Sequence, residues 1–194
     1  LHWAHRFIYP PTVGLDISDR SIKYFQFGNR SKLTIDGFGE TAVEAGIIEE
    51  GEIKNEEKLI KTLSVLYKEQ YTLFRSAFTA VALPEEKSFV RLIELPKVER
   101  AEVGDAIRWE IEANIPLALN ELVYDYEIIE SQRRDATHYD VMVVAFPREI
   151  VTSYVSVLKR SGFQLSTLML ESQALISSVP QLVADQTPMV IMDF

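Results

Sequence analysis

The sequence predicts an α/β protein, with a sheet-forming region first and a smaller α+β unit after it. Short apolar segments between Val13 and Ala42 are separated by polar and glycine-containing turns, which is typical of an antiparallel meander. A helical pattern after Asn55 and a nearly all-apolar segment at Phe78–Leu83 add a helix and a buried strand. From Ser88 the order strand, helix, strand, strand, helix predicts a second, small unit.

The elements of the first region follow from local signals. The strands of the meander are predicted at Val13–Ile17, Ile22–Phe27 and Leu33–Ala42, and a loop is predicted at 44–53. Asn55 is a good helix cap because its side chain accepts a hydrogen bond from an N–H group of the first turn. One face of this helix is apolar: Leu59, Ile60, Leu63, Leu66 and Tyr67. Pro84 ends the buried strand.

The second region and the return of the chain are predicted in the same way. Strands are expected at Ser88–Leu95, Leu122–Glu130 and Tyr139–Phe146. A helix at Glu99–Asn114 ends before the Ile115-Pro116 pair. Pro147 is expected as the first residue of the next helix and Gly162 as its left-handed terminator. The final elements are a strand at Phe163–Leu170, a helix from Glu171 and a strand at Val190–Met192.

Composition excludes several classes of protein. The chain has 194 residues, a formal net charge of -9 and no cysteine, so disulfides and thiolate metal sites are excluded. The negative charge and the lack of a basic stripe argue against nucleic acid as a partner. No apolar run approaches the roughly 20 residues that span a bilayer. The chain opens with leucine and without a signal-peptide pattern, which indicates a fragment.

The first eleven residues leave two interpretations open. A short amphipathic helix on a membrane surface is one of them. A tail tucked against the domain is the favoured one for so short a segment. A membrane is therefore expected to be only an indirect partner.

The hairpin at Val13–Phe27 holds the main candidate chemistry. Loops of the types GxxxxGK and GxGxxG and the HExxH motif are absent. The hairpin instead brings a carboxylate, two hydroxyls and a lysine to one turn, which is suited to a phosphate chain and its magnesium ion. Asp16 ends an apolar strand, so its charge must face a cleft or be paired. A capping role in the turn is the alternative, and the residues alone do not decide between the two.

The hairpin resembles the first phosphate motif of the actin-like ATPase superfamily. Lys23 follows Asp16 by seven residues, the spacing at which actin carries its phosphate-contacting lysine. The whole chain from about Thr12 is similar to the PilM family of type IV pilus assembly proteins. The matching stretches are Gly14–Ser18, Gly46–Ile53, Ala82–Glu86, Phe89–Pro96, Ile107–Glu112, Ile115-Pro116, Asp125-Tyr126, Val144-Ala145, Leu170–Leu175 and Met192-Asp193.

This resemblance implies an actin-like (ribonuclease H-like) ATPase fold, present as its N-terminal half, with an inserted α+β subdomain of the FtsA type. The implied units are a tail at 1–11, the first part of the actin-like subdomain at 12–85, the inserted subdomain at 86–161 and the return at 162–194. The adenine-binding half is not in the chain, so weak nucleotide binding is expected of this piece alone.

The resemblance also implies a site for ATP and Mg²⁺ in the full-length protein. Its expected cofactor-binding residues are Asp16, Ser18, Asp19, Ser21, Lys23 and Asp193. Asp16 and Asp193 are expected to hold the metal through water. Glu171 lies where some relatives keep a glutamate that positions the attacking water, and a carboxylate at the dipole of a helix start is an equal alternative.

The turn departs from the family pattern. Family members have glycine and then a hydroxyl residue where this chain has Ser18 and Asp19. A side chain at the glycine position hinders the approach of the backbone to phosphate, and the Asp19 carboxylate repels phosphate unless magnesium or Lys23 intervenes. We therefore expect ATP binding with slow or no hydrolysis.

As a function, the resemblance implies an adaptor of type IV pilus assembly at the inner face of the cytoplasmic membrane. The implied partner is the cytosolic N-terminal peptide of PilN, in a groove between the main domain and the inserted subdomain, together with other pilus proteins and a second copy of the chain. Candidate groove faces are Phe89–Leu95 and Leu122–Tyr126, with ordinary core as the alternative. Alternative functions are an FtsA-like division scaffold, a type II secretion scaffold and, less favoured, a small-molecule kinase.

Overall fold

The structure is a computed structural model that describes residues 11–29, 34–75, 78–97, 99, 102–129 and 137–178. Its strands are β1 (Thr12–Ile17), β2 (Ser21–Asn29), β3 (Thr34–Ala42), β4 (Ile48–Glu49), β5 (Glu52–Ile53), β6 (Phe78–Leu83), β7 (Phe89–Pro96), β8 (Leu122–Ile129), β9 (His138–Pro147) and β10 (Leu165–Leu170). Its helices are α1 (Glu56–Glu69), α2 (Tyr71–Phe74), α3 (Val103–Asn114), α4 (Arg148–Arg160) and α5 (Glu171–Ser178). Short 3-10 turns lie at Glu85–Lys87 and Leu119–Glu121.

The larger sheet has five strands in the order β10-β6-β1-β2-β3. The meander is antiparallel from β1 to β3, whereas β6 and β10 run parallel to β1. Alternation along β1 sends Val13, Leu15 and Ile17 into the core and leaves Asp16 on the opposite face. The predicted meander and the interior position of β6 are therefore confirmed.

The smaller sheet has three strands in the order β7-β9-β8, all antiparallel. One face of this sheet packs on α3 through buried residues such as Ile107, Val141 and Val143. The other face carries Val144, Met142 and Val123, which register places on the opposite side of the strands. This second face, the open face, looks toward the larger unit.

Each sheet has its own hydrophobic cluster. The cluster of the larger unit includes Leu59 and Leu63 of α1, and Leu15 and Val81 of the sheet. Helix α4 follows the smaller sheet in sequence, yet its buried residues Ile150, Tyr154, Val157 and Leu158 belong to the cluster of the larger unit. The chain thus leaves the larger unit after β6 and re-enters it with α4.

Local signals placed most helix ends correctly. Asn55 caps α1, its side chain accepting a hydrogen bond from the Lys58 N–H at 3.0 Å, and Gly162 has the left-handed φ of 97° after α4. Helix α3 begins at Val103 rather than Glu99, and Pro147 is the cap of α4 rather than its first residue. The loop predicted at 44–53 contains the small β4–β5 hairpin.

The predicted strand at 190–192 lies outside the described residues, and so does the predicted tail at 1–11 except for its last residue. Within the described part of the chain, no helix is long and apolar enough to cross a membrane.

Candidate functional site

The carboxyl ends of the parallel strands β1, β6 and β10 meet at one edge of the larger sheet. Each strand delivers a carboxylate there: Asp16 near the end of β1, Glu85 just after β6 and Glu171 just after β10. Ligands of open α/β sheets bind at this edge because the loops that leave the strands can open there. We refer to Asp16, Glu85, Glu171 and the turn at 18–21 as the strand-end site.

Asp16 and Lys23 are directly opposite each other in the β1–β2 register, with Ala82 on the other side of Asp16. Their side chains share the sheet face that points away from the core, where Asp16 is half-buried and Lys23 is exposed. A carboxylate and an ammonium group side by side match the charges of a hydrated Mg²⁺ ion and a phosphate group. This pair fits the predicted phosphate site.

The turn at Ser18 is closed by its own hydrogen bonds. The Ser18 N–H and Oγ both donate to the Ser21 carbonyl, at 2.9 and 3.1 Å. In return the Ser21 N–H donates to Ser18 Oγ at 3.3 Å. The Ser18 side chain and the backbone of both serines therefore stabilise the turn, and the predicted contact of the two hydroxyls with phosphate stays a prediction.

Asp19 binds to the β4–β5 hairpin. Its Oδ2 accepts from the Glu50 N–H at 2.8 Å and its Oδ1 accepts from the Gly51 N–H at 3.0 Å. Gly51 has a φ of +71°, and a Cβ there would lie 2.5 Å from the Pro84 side chain, so glycine is required. The carboxylate that replaces the hydroxyl residue of the family pattern thus holds the turn against this hairpin.

Tyr154 reaches the same hairpin from α4. Its buried hydroxyl donates to the Gly51 carbonyl at 3.0 Å. Burial raises the pKa of the Tyr154 hydroxyl, and nearby carboxylates raise it further. Those carboxylates belong to Asp19, Glu171 and Glu86. The predicted residues Asp19 and Glu171 therefore lie within electrostatic reach of one side chain.

Glu171 begins α5 at the carboxyl end of β10, and its side chain is half-buried. The next residue, Ser172, donates from its N–H to Glu85 Oε2 at 3.1 Å and from its Oγ to Glu85 Oε1 at 2.8 Å. Glu85 thus caps the start of α5, a role that sequence reasoning missed because the partners lie 87 residues apart. Both interpretations of Glu171, water positioning and helix start, remain compatible with its place.

The remaining predicted metal ligand, Asp193, lies outside the described residues. Among the residues that are described, no group of three or more His, Asp or Glu side chains is arranged to hold a metal ion.

A second candidate site is a groove of about 410 Å³ between the open face of the smaller sheet and the larger unit. Its lining is mostly apolar, with Asp125 and Glu127 as its charged members. The smaller sheet contributes Val123, Tyr124, Asp125, Tyr126, Glu127, Met142, Val144 and Phe146. The larger unit contributes Leu83, Val151, Leu168, Met169, Leu170 and Gln173. Its size is within the range of ligand pockets.

Of the two candidate groove faces, Leu122–Tyr126 supplies Val123 to Tyr126, and Phe89–Leu95 supplies no lining residue among those described. The lining from β10, α4 and α5 was missed. An apolar strand such as Leu165–Leu170 has the same sequence pattern whether its side chains are buried in the core or line a groove. The sequence therefore offers no signal that separates groove residues from core residues.

The chain is similar to known proteins in sequence and in fold. A family model described as Type IV pilus assembly protein PilM matches residues 14–191. A sequence comparison with curated proteins gives no match.

Two solved structures show the same fold. The structure of a PilM–PilN type IV pilus biogenesis complex is similar with a TM-score of 0.78 and 23% identity, covering 89% of this chain and 51% of that chain. The cytoplasmic domain of EpsL, an inner membrane component of the type II secretion system of Vibrio cholerae, gives a TM-score of 0.53 and 15% identity, covering 81% and 56%. The chain thus spans about half the length of these proteins. The predicted actin-like fold is confirmed.

Proposed function

The chain belongs to the PilM family of type IV pilus assembly proteins, and on this premise we propose that it is an adaptor that binds the cytosolic N-terminal peptide of PilN. The observation that supports this most is the groove between the smaller sheet and the larger unit. It is open and largely apolar, and it lies between two units that the described part of the chain connects from β6 to β7 and from β9 to α4. Such a groove is suited to an apolar segment of a partner protein.

The same proposal implies where in the cell the protein is located. Binding of a peptide that belongs to an inner-membrane protein holds the adaptor at the inner face of the cytoplasmic membrane. Other pilus assembly proteins and a second copy of the chain remain further proposed partners.

The experiment is a calorimetric titration of the full-length protein with the PilN N-terminal peptide. We expect saturable binding of one peptide per protein. No detectable heat at millimolar peptide would overturn the adaptor function. A peptide of the same composition in scrambled order is the matched control.

We further propose that the full-length protein binds ATP with Mg²⁺ at the strand-end site and hydrolyses it slowly or not at all. Asp16 would hold the hydrated metal and Lys23 the phosphate, because the register places both on one sheet face. The metal would neutralise phosphate charge. Asp19 and Ser18, which are bonded within the chain, would keep the turn in shape beside the phosphate. Titration of the full-length protein with a fluorescent ATP analogue, with and without Mg²⁺, tests this proposed binding.

A second candidate, a type II secretion scaffold, has the fold likeness to EpsL in its favour. The family model over residues 14–191 favours the pilus role, since it matches sequence rather than fold alone. The two functions can be separated by comparing the affinity for a PilN peptide with the affinity for a peptide from the type II secretion partner. Preference for the PilN peptide would support the pilus role.

A further inference from the structure

The described part of the chain crosses between the two units twice. It leaves the larger unit after β6 and enters β7 through Pro84–Ser88, which we call the crossing turn, and it returns where β9 meets α4 at Pro147. At the return, Arg148 donates to the Asn120 and Leu122 carbonyls at 2.8 and 2.6 Å, so the start of α4 is bonded to the smaller unit. The crossing turn, in contrast, is bonded to elements of the larger unit.

One side of the crossing turn packs against the β4–β5 hairpin. Gly51 lies so close to Pro84 that a Cβ on Gly51 would come within 2.5 Å of the Pro84 side chain. Lys87 of the crossing turn forms an ion pair with Glu50 of the hairpin, with 3.8 Å between Nζ and Oε2. The Asp19 carboxylate accepts from the N–H groups of Glu50 and Gly51. The turn at 18–21 therefore holds the hairpin and, through it, the crossing turn.

The other side of the crossing turn is bonded to the start of α5. The Glu85 carboxylate accepts from the N–H and the Oγ of Ser172, which directly follows Glu171. The Ser88 N–H and Oγ both donate to the Glu85 carbonyl, at 2.9 and 2.8 Å, and Ser88 directly precedes β7. Hydrogen bonds through one residue thus connect the start of α5 to the first strand of the smaller unit.

The crossing turn therefore lies between two elements of the strand-end site, the turn at 18–21 with its hairpin and the start of α5. A ligand of this site acts on both elements, because the charges of Asp19 and Glu171 respond to a metal ion or a phosphate group. Packed units move as rigid bodies about short connections, so a small displacement at a connection becomes a larger one at the far end of the unit. The smaller unit is the body that such a displacement turns.

We propose that occupation of the strand-end site by ATP and Mg²⁺ changes the orientation of the smaller unit, and that the crossing turn transmits this change. This inference rests on the proposed nucleotide binding and adds a regulatory role to that site. The groove lies between the two units, so a change of orientation alters its width. Nucleotide and partner peptide then change each other's affinity by the same factor, as linkage requires.

The change of orientation is measured as the distance between two spin labels in the full-length protein. The 194 residues contain no cysteine, so labels can be attached at Lys61→Cys on α1 and Ala113→Cys on α3, both exposed positions. Any cysteine outside these residues is first replaced by serine. We expect ATP with Mg²⁺ to shift the mean distance by about 2 Å or more. An unchanged distance at saturating ATP would overturn the inference.

The role of the crossing turn is tested with Pro84→Gly. Glycine removes both the side chain that packs on Gly51 and the fixed φ of proline. We expect the distance shift to fall below about half of its value in the parent, with an ATP affinity within about threefold. Pro147→Gly is the matched control, because it places the same substitution at the return, and it should retain the shift. Equal shifts in the two variants would contradict transmission by the crossing turn.

A second variant leaves the backbone of the crossing turn unchanged. Ser172→Ala removes the Oγ bond to Glu85 and keeps the N–H bond, so we expect a smaller reduction of the distance shift than for Pro84→Gly. Ser166→Ala is its control, since the Ser166 hydroxyl donates to the Thr79 carbonyl within the sheet. A Ser172 variant with the full shift of the parent would overturn the part assigned to α5.

The consequence for the partner is tested by titrating the full-length protein with the PilN peptide, with and without ATP and Mg²⁺. We expect the peptide affinity to change by about fivefold or more, and the ATP affinity to change by the same factor when the peptide is bound. In Pro84→Gly this factor should approach one. Equal peptide affinities with and without nucleotide would overturn the regulatory role.

The outcomes separate this inference from the function beneath it. If the full-length protein binds no ATP, the proposed nucleotide site is overturned and this inference with it. If ATP binds and the distance between the labels stays the same, this inference alone is overturned.

Discussion

The turn at Ser18–Asp19 and the groove beside β8 are both candidate sites, and they differ in how far the chain satisfies its own polar groups. In the turn, Ser18 bonds Ser21, and Asp19 bonds the backbone of Gly51. In the groove, the floor is apolar and the edge of β8 has no partner strand among the described residues, although Asp125 and Arg148 bond the Tyr126 N–H and the Leu122 carbonyl.

This difference indicates which site is ready for a partner. A polar group that already has a hydrogen-bond partner gains little from a ligand, because the new bond replaces an old one. An apolar surface and an unpaired strand edge gain from any segment that removes them from water. We therefore expect the groove to contribute more binding free energy than the turn.

The largest expected effect belongs to the groove. Val123→Arg places a long cationic side chain among its lining residues, and we expect PilN peptide affinity to fall on the order of 100-fold. Calorimetry with the full-length protein measures this. Leu92→Arg is the control, because Leu92 is 60% exposed on β7 of the same sheet but does not line the groove. Equal losses for both variants would show that the groove is not the binding surface.

The next effect tests whether the turn is structural. Asp19→Ala removes the acceptor of the Glu50 and Gly51 N–H groups, and we expect the free energy of unfolding to fall by about 1.5 kcal/mol. Urea unfolding measures it. Glu112→Ala, at an exposed position of α3, should change it by no more than about 0.5 kcal/mol. An Asp19 variant as stable as the parent would contradict a structural role.

Nucleotide binding distinguishes the roles of Asp16 and Asp19 in the strand-end site. Asp16→Ala should weaken binding of ATP with Mg²⁺ about tenfold, because it removes the carboxylate opposite Lys23. Asp19→Ala should change that affinity by less than about threefold. A larger loss of ATP affinity for Asp19→Ala than for Asp16→Ala would assign the ligand contact to Asp19. An unchanged affinity of the Asp16 variant would show that the hairpin has another role.

The smallest effect concerns Tyr154. Tyr154→Phe removes the hydrogen bond to the Gly51 carbonyl and should lower the free energy of unfolding by about 1 kcal/mol near neutral pH. The folded-state pKa of Tyr154 is raised, so above pH 10.0 the unfolded chain loses this proton first and the parent protein loses stability relative to the variant. Urea unfolding at pH 7 and near pH 11 should show that the difference in free energy of unfolding between the parent and the Tyr154→Phe variant becomes smaller at the higher pH. If this difference did not depend on pH, Tyr154 would not be buried as described.

Much of the fold could be predicted because its signals are local. The Asn55 cap, the Gly162 terminator and the apolar spacing of α1 each depend on residues within a turn or two of one another. The sequence predicts the start of α3 four residues early, since the mostly charged residues at 99–102 are as compatible with a turn as with a helix. The predicted hairpin and its resemblance to a phosphate motif put Asp16 and Lys23 at one turn, and the register places the two residues opposite each other.

The sequence by itself determined the order of the longer elements, the family and the residues that form the hairpin, because periodicity, caps and motif order are properties of neighbouring residues. Only the tertiary structure decided that Asp19 holds the Gly51 N–H, 32 residues away, and that Tyr154 reaches the Gly51 carbonyl across 103 residues. It also decided which apolar surfaces form core and which border the groove. Contacts of this kind depend on how separate elements pack, and no local pattern encodes that packing.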